Sequence, residues 1–123
     1  MKNGAKRCEA EIAIRNAIIK FEQEFMGRGP TDVRAFIVRD IILIRLKGVL
    51  TQAERQLAKS EQGINMVKQM RQNLISQGRE QLCKQILEIT GAETVALFTD
   101  IDARIGERII VFTLDRDLEA ILT

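Results

Sequence analysis

The 123-residue chain is predicted to be an α+β domain: an antiparallel four-stranded sheet made from two β-hairpins, in the order α-ββ-α-α-ββ, with one long amphipathic helix. Three observations predict it. Apolar residues recur at three- and four-residue spacing over residues 6–26 and again from about 64 to 90. Two stretches, TDVRAFIVRDIILIRLKG and ETVALFTDI with ERIIVFTLD, are rich in β-branched and aromatic residues and each is divided by polar turn residues. Breakers mark segment ends, GRGP at 27–30 and Gly91. No repeat, linker or low-complexity stretch interrupts residues 1–123, so one domain near the modal size is expected.

In the first helix Ile14, Ala17, Ile18, Phe21 and Phe25 form one stripe. Ile12 and Ile19 widen it, which predicts burial on more than one side. The helix ends at GRGP, which carries the only proline. In the first hairpin, a turn at Arg39-Asp40 places Val38 opposite Ile41, Ile37 opposite Ile42, Arg34 opposite Arg45 and Asp32 opposite Lys47. One face is then wholly apolar: Val33, Ala35, Ile37, Ile42, Ile44 and Leu46. The other holds Phe36, Val38, Ile41 and Leu43 near the turn and charges at the open end. Two arginines side by side are the discordant pair, because like charges across a ladder repel.

Thr51 and Glu54 form a capping box before a short helix, which Gly63 interrupts. The long helix carries Ile64, Val67, Met70, Leu74, Gly78, Leu82, Ile86 and Ile89 on its stripe. It would be about 40 Å long, more than a domain of this size needs. Gly78 marks a bend or a close helix–helix approach, and Gly91 a C′ stop. In the second hairpin the loop lies near Asp102–Gly106. Ile101 opposite Glu107 sets Asp100 opposite Arg108, Phe98 opposite Ile110 and Ala96 opposite Phe112. Val95, Leu97, Ile109 and Val111 make the other face apolar too. One layer of helices cannot cover both faces. Either helices flank both sides or a second copy does, and the overlong helix favours a two-fold homodimer.

Composition narrows the function. With 46% hydrophobic and 29% charged residues the chain is an ordinary globular one. A net charge of +2, 4% aromatic content and no Trp or Tyr argue against nucleic acid as a partner. No run reaches the roughly 20 apolar residues of a membrane span. MKNGAKRCEAE turns acidic too early for a signal peptide, so a cytoplasmic location is expected. Cys8 and Cys83 are far apart, form no CxxC pair, and are read as reduced thiols. The chain has no histidine, which excludes Ser-His-Asp and Cys-His catalysis and His-containing zinc sites.

The stretch TDIDARIGERIIVFTLDRD (99–117) has the densest set of reactive groups, five acids and three arginines. A calcium loop would need D-x-[DN]-x-[DN]-G, yet position 104 is arginine and the glycine is displaced. Asp100 and Asp102 share a strand face but are read as the rim of a hairpin, with no metal, cofactor or catalytic residue expected. Arg28 in GRGP, with Arg34 and Arg45, is a candidate anion site, because guanidinium forks bind carboxylate or phosphate bidentately. Against it, Asp32, Glu54 or an acid of a second copy would neutralise the cluster. Lys59, Lys68, Arg71, Arg79 and Lys84 could face a membrane; with Glu61, Glu80 and Glu88 interleaved, a solvated helix face is expected instead.

Taken in order and spacing, GRGP, RLKGVLTQAERQLA, EITG and GERIIVFTLDR resemble the MpsC-like domain family of small bacterial proteins, from the first helix to about Leu118. That family is named for a component of a proposed Na⁺-translocating, membrane-potential-generating system. The resemblance brings no established active site, so no catalytic residue carries over from it; what it suggests is an accessory role beside a membrane system, without showing that this chain moves sodium. DARI (102–105) departs from a more Ser/Thr-rich family pattern, in keeping with a turn. The expected function is therefore a non-enzymatic, homodimeric interaction or regulatory module with a membrane-system protein as a further partner. A small-anion sensor using Arg28, Arg34 and Arg45 is the alternative, and an enzyme with a metal at Asp100 and Asp102 comes third.

Overall fold

The computed structural model describes the backbone of residues 3–122 and the side chains of residues 6–122. Met1 and Lys2 of the basic N-terminal segment lie outside them. The elements are α1 (Asn3–Met26), β1 (Asp32–Val38), β2 (Ile41–Lys47), α2 (Gln52–Leu57), α3 (Glu61–Thr90), β3 (Thr94–Asp102), β4 (Glu107–Leu114) and α4 (Leu118–Ile121). The four strands form one antiparallel sheet in the order β1-β2-β4-β3, with the two hairpins joined edge to edge through β2 and β4.

The first hairpin has the register that its turn dictates, from Val38 opposite Ile41 through Arg34 opposite Arg45 to Asp32 opposite Lys47. Arg39 takes a left-handed φ of 58° in the two-residue turn, a conformation that such hairpins require and usually assign to glycine. The C-terminal segment holds it there: the Arg39 N–H donates to Glu119 Oε2 at 3.0 Å, and the Leu118 N–H donates to the Arg39 carbonyl at 2.8 Å.

The second hairpin corrects the expected pairing by one residue. Ile101 lies opposite Arg108, Asp100 opposite Ile109, Phe98 opposite Val111 and Ala96 opposite Thr113. Four residues, 103–106, make the loop; the Gly106 N–H donates to the Asp102 carbonyl at 2.9 Å and Gly106 sits at φ 71° beneath Leu50. A slip of one residue exchanges the two faces of a strand. Arg108 therefore turns inward and Asp100 outward, so the expected Asp100–Arg108 pair does not form. Between Thr94 and Ala96 a bulge leaves Val95 unpaired and exposed.

All helix packing is on one side of the sheet. The inner face presents Val33, Ile37, Ile42, Ile44, Leu46, Ile110 and Phe112, each buried, to Ile14, Ile18 and Phe21 of α1 and Val67, Ile75, Leu82 and Ile86 of α3. Gly78 marks a close approach, not a bend: a Cβ there would lie 2.3 Å from Cε1 of Phe21, whose ring stacks on Phe25 at 4.4 Å. Gly63 does not end the helix before it. Ser60 caps α3, and Gly63 lies inside its first turn because a Cβ would collide with the Leu57 carbonyl. Gly91 closes α3 in the left-handed conformation, as the sequence indicates.

The buried stripe of α3 differs from the expected one. Met70 is 44% exposed, whereas Arg71, read as part of a solvated basic face, is 1% exposed. Ile12 of α1 is also exposed, so the broad stripe of that helix is not buried all round.

Candidate functional site

Two features of the fold stand apart from ordinary packing: the uncovered face of the sheet, and a set of charged side chains inside it. The uncovered face follows from the strands themselves. Successive side chains alternate between faces, and on the half of β1 and β2 nearest their turn both faces are apolar. One set meets the helices. The other, Phe36, Val38, Ile41, Leu43 and Phe98, remains between 36% and 59% exposed. The registers align these residues into rows across all four strands. Phe36 pairs with Leu43, Leu43 with Val111, and Val111 with Phe98. The next row is Val38, Ile41, Thr113 and Ala96, and on the other side lies Arg34, Arg45, Ile109 and Asp100. The apolar patch is on the order of 300 Å², from the strand spacing and rise, comparable to the largest patch of a typical monomer, which is often a functional one.

Two of the three sequence-predicted anion ligands lie at the edge of that patch. Arg34 and Arg45 are cross-strand neighbours, and each has a carboxylate beside it: Arg34 Nε lies 3.5 Å from Asp32, and Arg45 Nε donates to Glu107 Oε2 at 2.7 Å. Glu107 holds the Arg45 guanidinium protonated, raising its pKa above the ordinary arginine value. Arg28 is engaged elsewhere, donating to the Leu50 carbonyl at 2.7 Å, an oxygen that also accepts from Arg55.

Asp100 and Asp102 do share the outer face. Asp100 lies 3.4 Å from Lys68, and Asp102 accepts from the Arg104 N–H at 3.0 Å as a turn residue. Among the described residues there is no cluster of three or more acidic, cysteine or histidine side chains able to hold a metal. Cys8 and Cys83 are both free thiols.

The interior charges begin at the capping box. Thr51 Oγ1 accepts from the Glu54 N–H at 3.1 Å and the Thr51 N–H donates to Glu54 Oε1 at 2.9 Å. This turns the Glu54 carboxylate inward, where Arg71 meets it with two bonds of 2.8 Å, from Nε and from Nη2. Arg71 Nη2 also donates to the Val49 carbonyl at 2.7 Å, and Nη1 to Glu22 Oε1 at 3.4 Å. Arg108 lies near these groups on β4, 2% exposed. Its position on the inner face and that of Arg71 escape a reading by residue type. The one available signal is spacing: Arg71 falls four residues after Val67 and four before Ile75, on the buried stripe.

The two buried carboxylates are tuned in opposite directions. Burial alone would raise Glu54, but the bonds from Arg71 and Thr51 outweigh it and hold its pKa below the ordinary value. Burial raises Glu22, and the attraction of Arg108 and Arg71 does not offset it. Its Oε2 has no hydrogen-bond partner. The stability from Glu54 is present above the ordinary carboxylate range and is lost as pH falls through its folded value. Glu22 acts with the opposite sign: the stability of its protonated form is present below the ordinary value and is lost as pH rises through its raised one. Glu22→Gln is therefore expected to match the wild type near pH 4 and to melt higher at pH 7, the gap widening between. Thermal melts across that range check it; a variant less stable than wild type at pH 7 would mean that the carboxylate is net favourable.

Comparison with known proteins agrees with the motifs. The family described as "Na+-translocating membrane potential-generating system (MpsC)" matches residues 6–116. The uncharacterized protein YbcI of Bacillus subtilis (strain 168) is 40% identical over 119 residues, 97% of this chain and 94% of that protein. The uncharacterized protein YrhF of the same organism is 30% identical over 103 residues, 83% of this chain and 84% of that protein. No solved structure matches. The chain belongs to the MpsC family.

Proposed function

We propose that this MpsC-family chain is a non-catalytic assembly module that pairs with a second copy through the open face of its sheet and serves, as a pair, beside a Na⁺-translocating membrane system. The single observation that carries the reading is the apolar patch spanning all four strands while the helices occupy only the other side. No helix among the described residues is long and apolar enough to cross a membrane, and the link to a membrane system in this reading is a protein–protein contact. The non-catalytic part is supported by where the carboxylates are engaged: Glu54 on Arg71, Glu107 on Arg45, Asp100 on Lys68, Asp102 in a turn.

A second copy fits the face better than an unrelated partner because the face is self-complementary. Stacked sheets pack about 10 Å apart with their strands nearly aligned. A two-fold axis between the sheets, running along the strands, lays β1 over β3 of the other copy and β2 over β4. Rows are preserved by that operation. Phe36 then meets Phe98, Leu43 meets Val111, and Arg34 meets Asp100, each contact made twice as an isologous interface requires. The Arg34 and Asp100 side chains are 70% and 78% exposed, so each would exchange its own surface partner, Asp32 or Lys68, for the other copy.

The charges at the rim provide the test. Arg34→Asp and Asp100→Arg are each expected to weaken self-association several-fold by placing like charges together, and the double variant to recover most of the loss. Sedimentation equilibrium of the four proteins reads this directly. Additive losses in the double variant would rule out this alignment. The anion-sensor alternative, which rests on the adjacency of Arg34 and Arg45, predicts instead that Arg34→Ala with Arg45→Ala removes a phosphate response and leaves the mass unchanged.

A further inference from the structure

On the helix side of the sheet, a cleft of about 370 Å³ runs between α3 and the edge strand β3. Its polar lining comes from Asn65, Lys68, Gln69, Arg71 and Gln72 of α3, Asp100 of β3 and Arg108 of β4. Arg108 is the deep member. It donates Nε to Thr99 Oγ1 at 3.0 Å, while its Nη1 is buried without any hydrogen-bond partner. Desolvation by burial lowers its pKa from the ordinary value, more than Glu22 raises it by attraction. A guanidinium nonetheless remains a cation in a protein, and a buried charge with an unmade bond is costly unless something answers it. Arg71 beside it has its acceptors, Glu54, Glu22 and the Val49 carbonyl. Arg108 does not.

We propose that this cleft is a binding site for a small oxyanion, a phosphate or carboxylate group, seated on Arg108. The donor set suits that chemistry. The Arg108 fork supplies the directed bonds and Lys68 a second positive charge from the α3 side. The amides of Asn65, Gln69 and Gln72 add neutral donors at successive turns of one helix face. Asp100 at the rim competes for Lys68, at 3.4 Å, with a side chain 78% exposed. An entering anion takes Lys68 from it, so removing that carboxylate should tighten binding. This site is distinct from Arg34 and Arg45, which lie on the opposite face of the sheet.

Thermal melts and calorimetry of the full chain, with inorganic phosphate and with acetate as probes at constant ionic strength, test it. A saturable rise in melting temperature is expected with at least one probe, following the mass-action form for a ligand of the folded state. Lys68→Ala, at a half-exposed position, should weaken the response about tenfold, or about 1.4 kcal/mol, without disturbing the fold. Asp100→Asn should strengthen it, and Arg108→Lys, which keeps the charge but not the fork, should abolish it. Arg34→Ala with Arg45→Ala should leave it intact. No saturable response to either probe in the wild type would overturn the proposal, as would a response that Lys68→Ala leaves unchanged. Should Arg108→Lys fail to fold, the Lys68 and Asp100 variants decide the matter between them.

Discussion

Arg71→Met is expected to lower the stability of the protein by about 3–5 kcal/mol, the cost of removing one partner from a buried ion pair. The size follows from what the variant strands. Glu54 loses both of its bonds of 2.8 Å, the Val49 carbonyl loses its donor, and Glu22 loses the cation on its Oε1. Methionine fills the space, so the loss is electrostatic and not a cavity. Against the roughly 5–15 kcal/mol that holds a domain together, this lowers the melting temperature by on the order of 15 °C. Glu54→Gln added to Arg71→Met should give back part of the loss, because the uncompensated carboxylate is then gone and the two changes do not add. Melts of the three proteins beside the wild type check it. A single variant within a few degrees of wild type would mean that Arg71 does not bind the helices to the loop at Val49.

That cluster also shows where sequence reasoning ends. The first hairpin was legible to the residue because the Arg39-Asp40 turn admits one register, and the capping box at Thr51 and Glu54 was legible because its partners are three residues apart. The second hairpin was not. Both of its faces are apolar away from the loop, so alternation gives no preference between two registers one residue apart, and the four-residue loop closed by Gly106 decides it. Arg71 reaches Glu54 across 17 residues and Glu22 across 49; nothing local announces such pairings. The consequence for the candidate sites is direct. The slip that places Arg108 inside the sheet moves the strongest anion lead from Arg28, Arg34 and Arg45 to the cleft under α3. The count of apolar residues on each sheet face left two arrangements open, helices on both sides or a second copy on one, and the structure has the helix packing on one side only.

Leu43→Glu is expected to convert the paired protein to a folded monomer. Leu43 sits in the row Phe36, Leu43, Val111, Phe98, on the second strand from the edge. In the proposed pair it lies on Val111 of the other copy, and a carboxylate there would be buried without a partner. Central contacts of this kind are worth about 2–4 kcal/mol, a rise of roughly 30- to 1000-fold in the dissociation constant. The fold of each subunit should survive. Leu43 is 37% exposed and points away from the core, while its neighbours Ile42 and Ile44 carry the packing against the helices. Circular dichroism should therefore match the wild type while the mass halves.

The solution mass of the wild-type chain by light scattering over a dilution series tests the central claim most directly. The open-face pair predicts twice the chain mass of 14.0 kDa, held over the upper part of the series and lost in Leu43→Glu. A wild-type monomer at every concentration would contradict it, and so would a dimer that Leu43→Glu leaves intact.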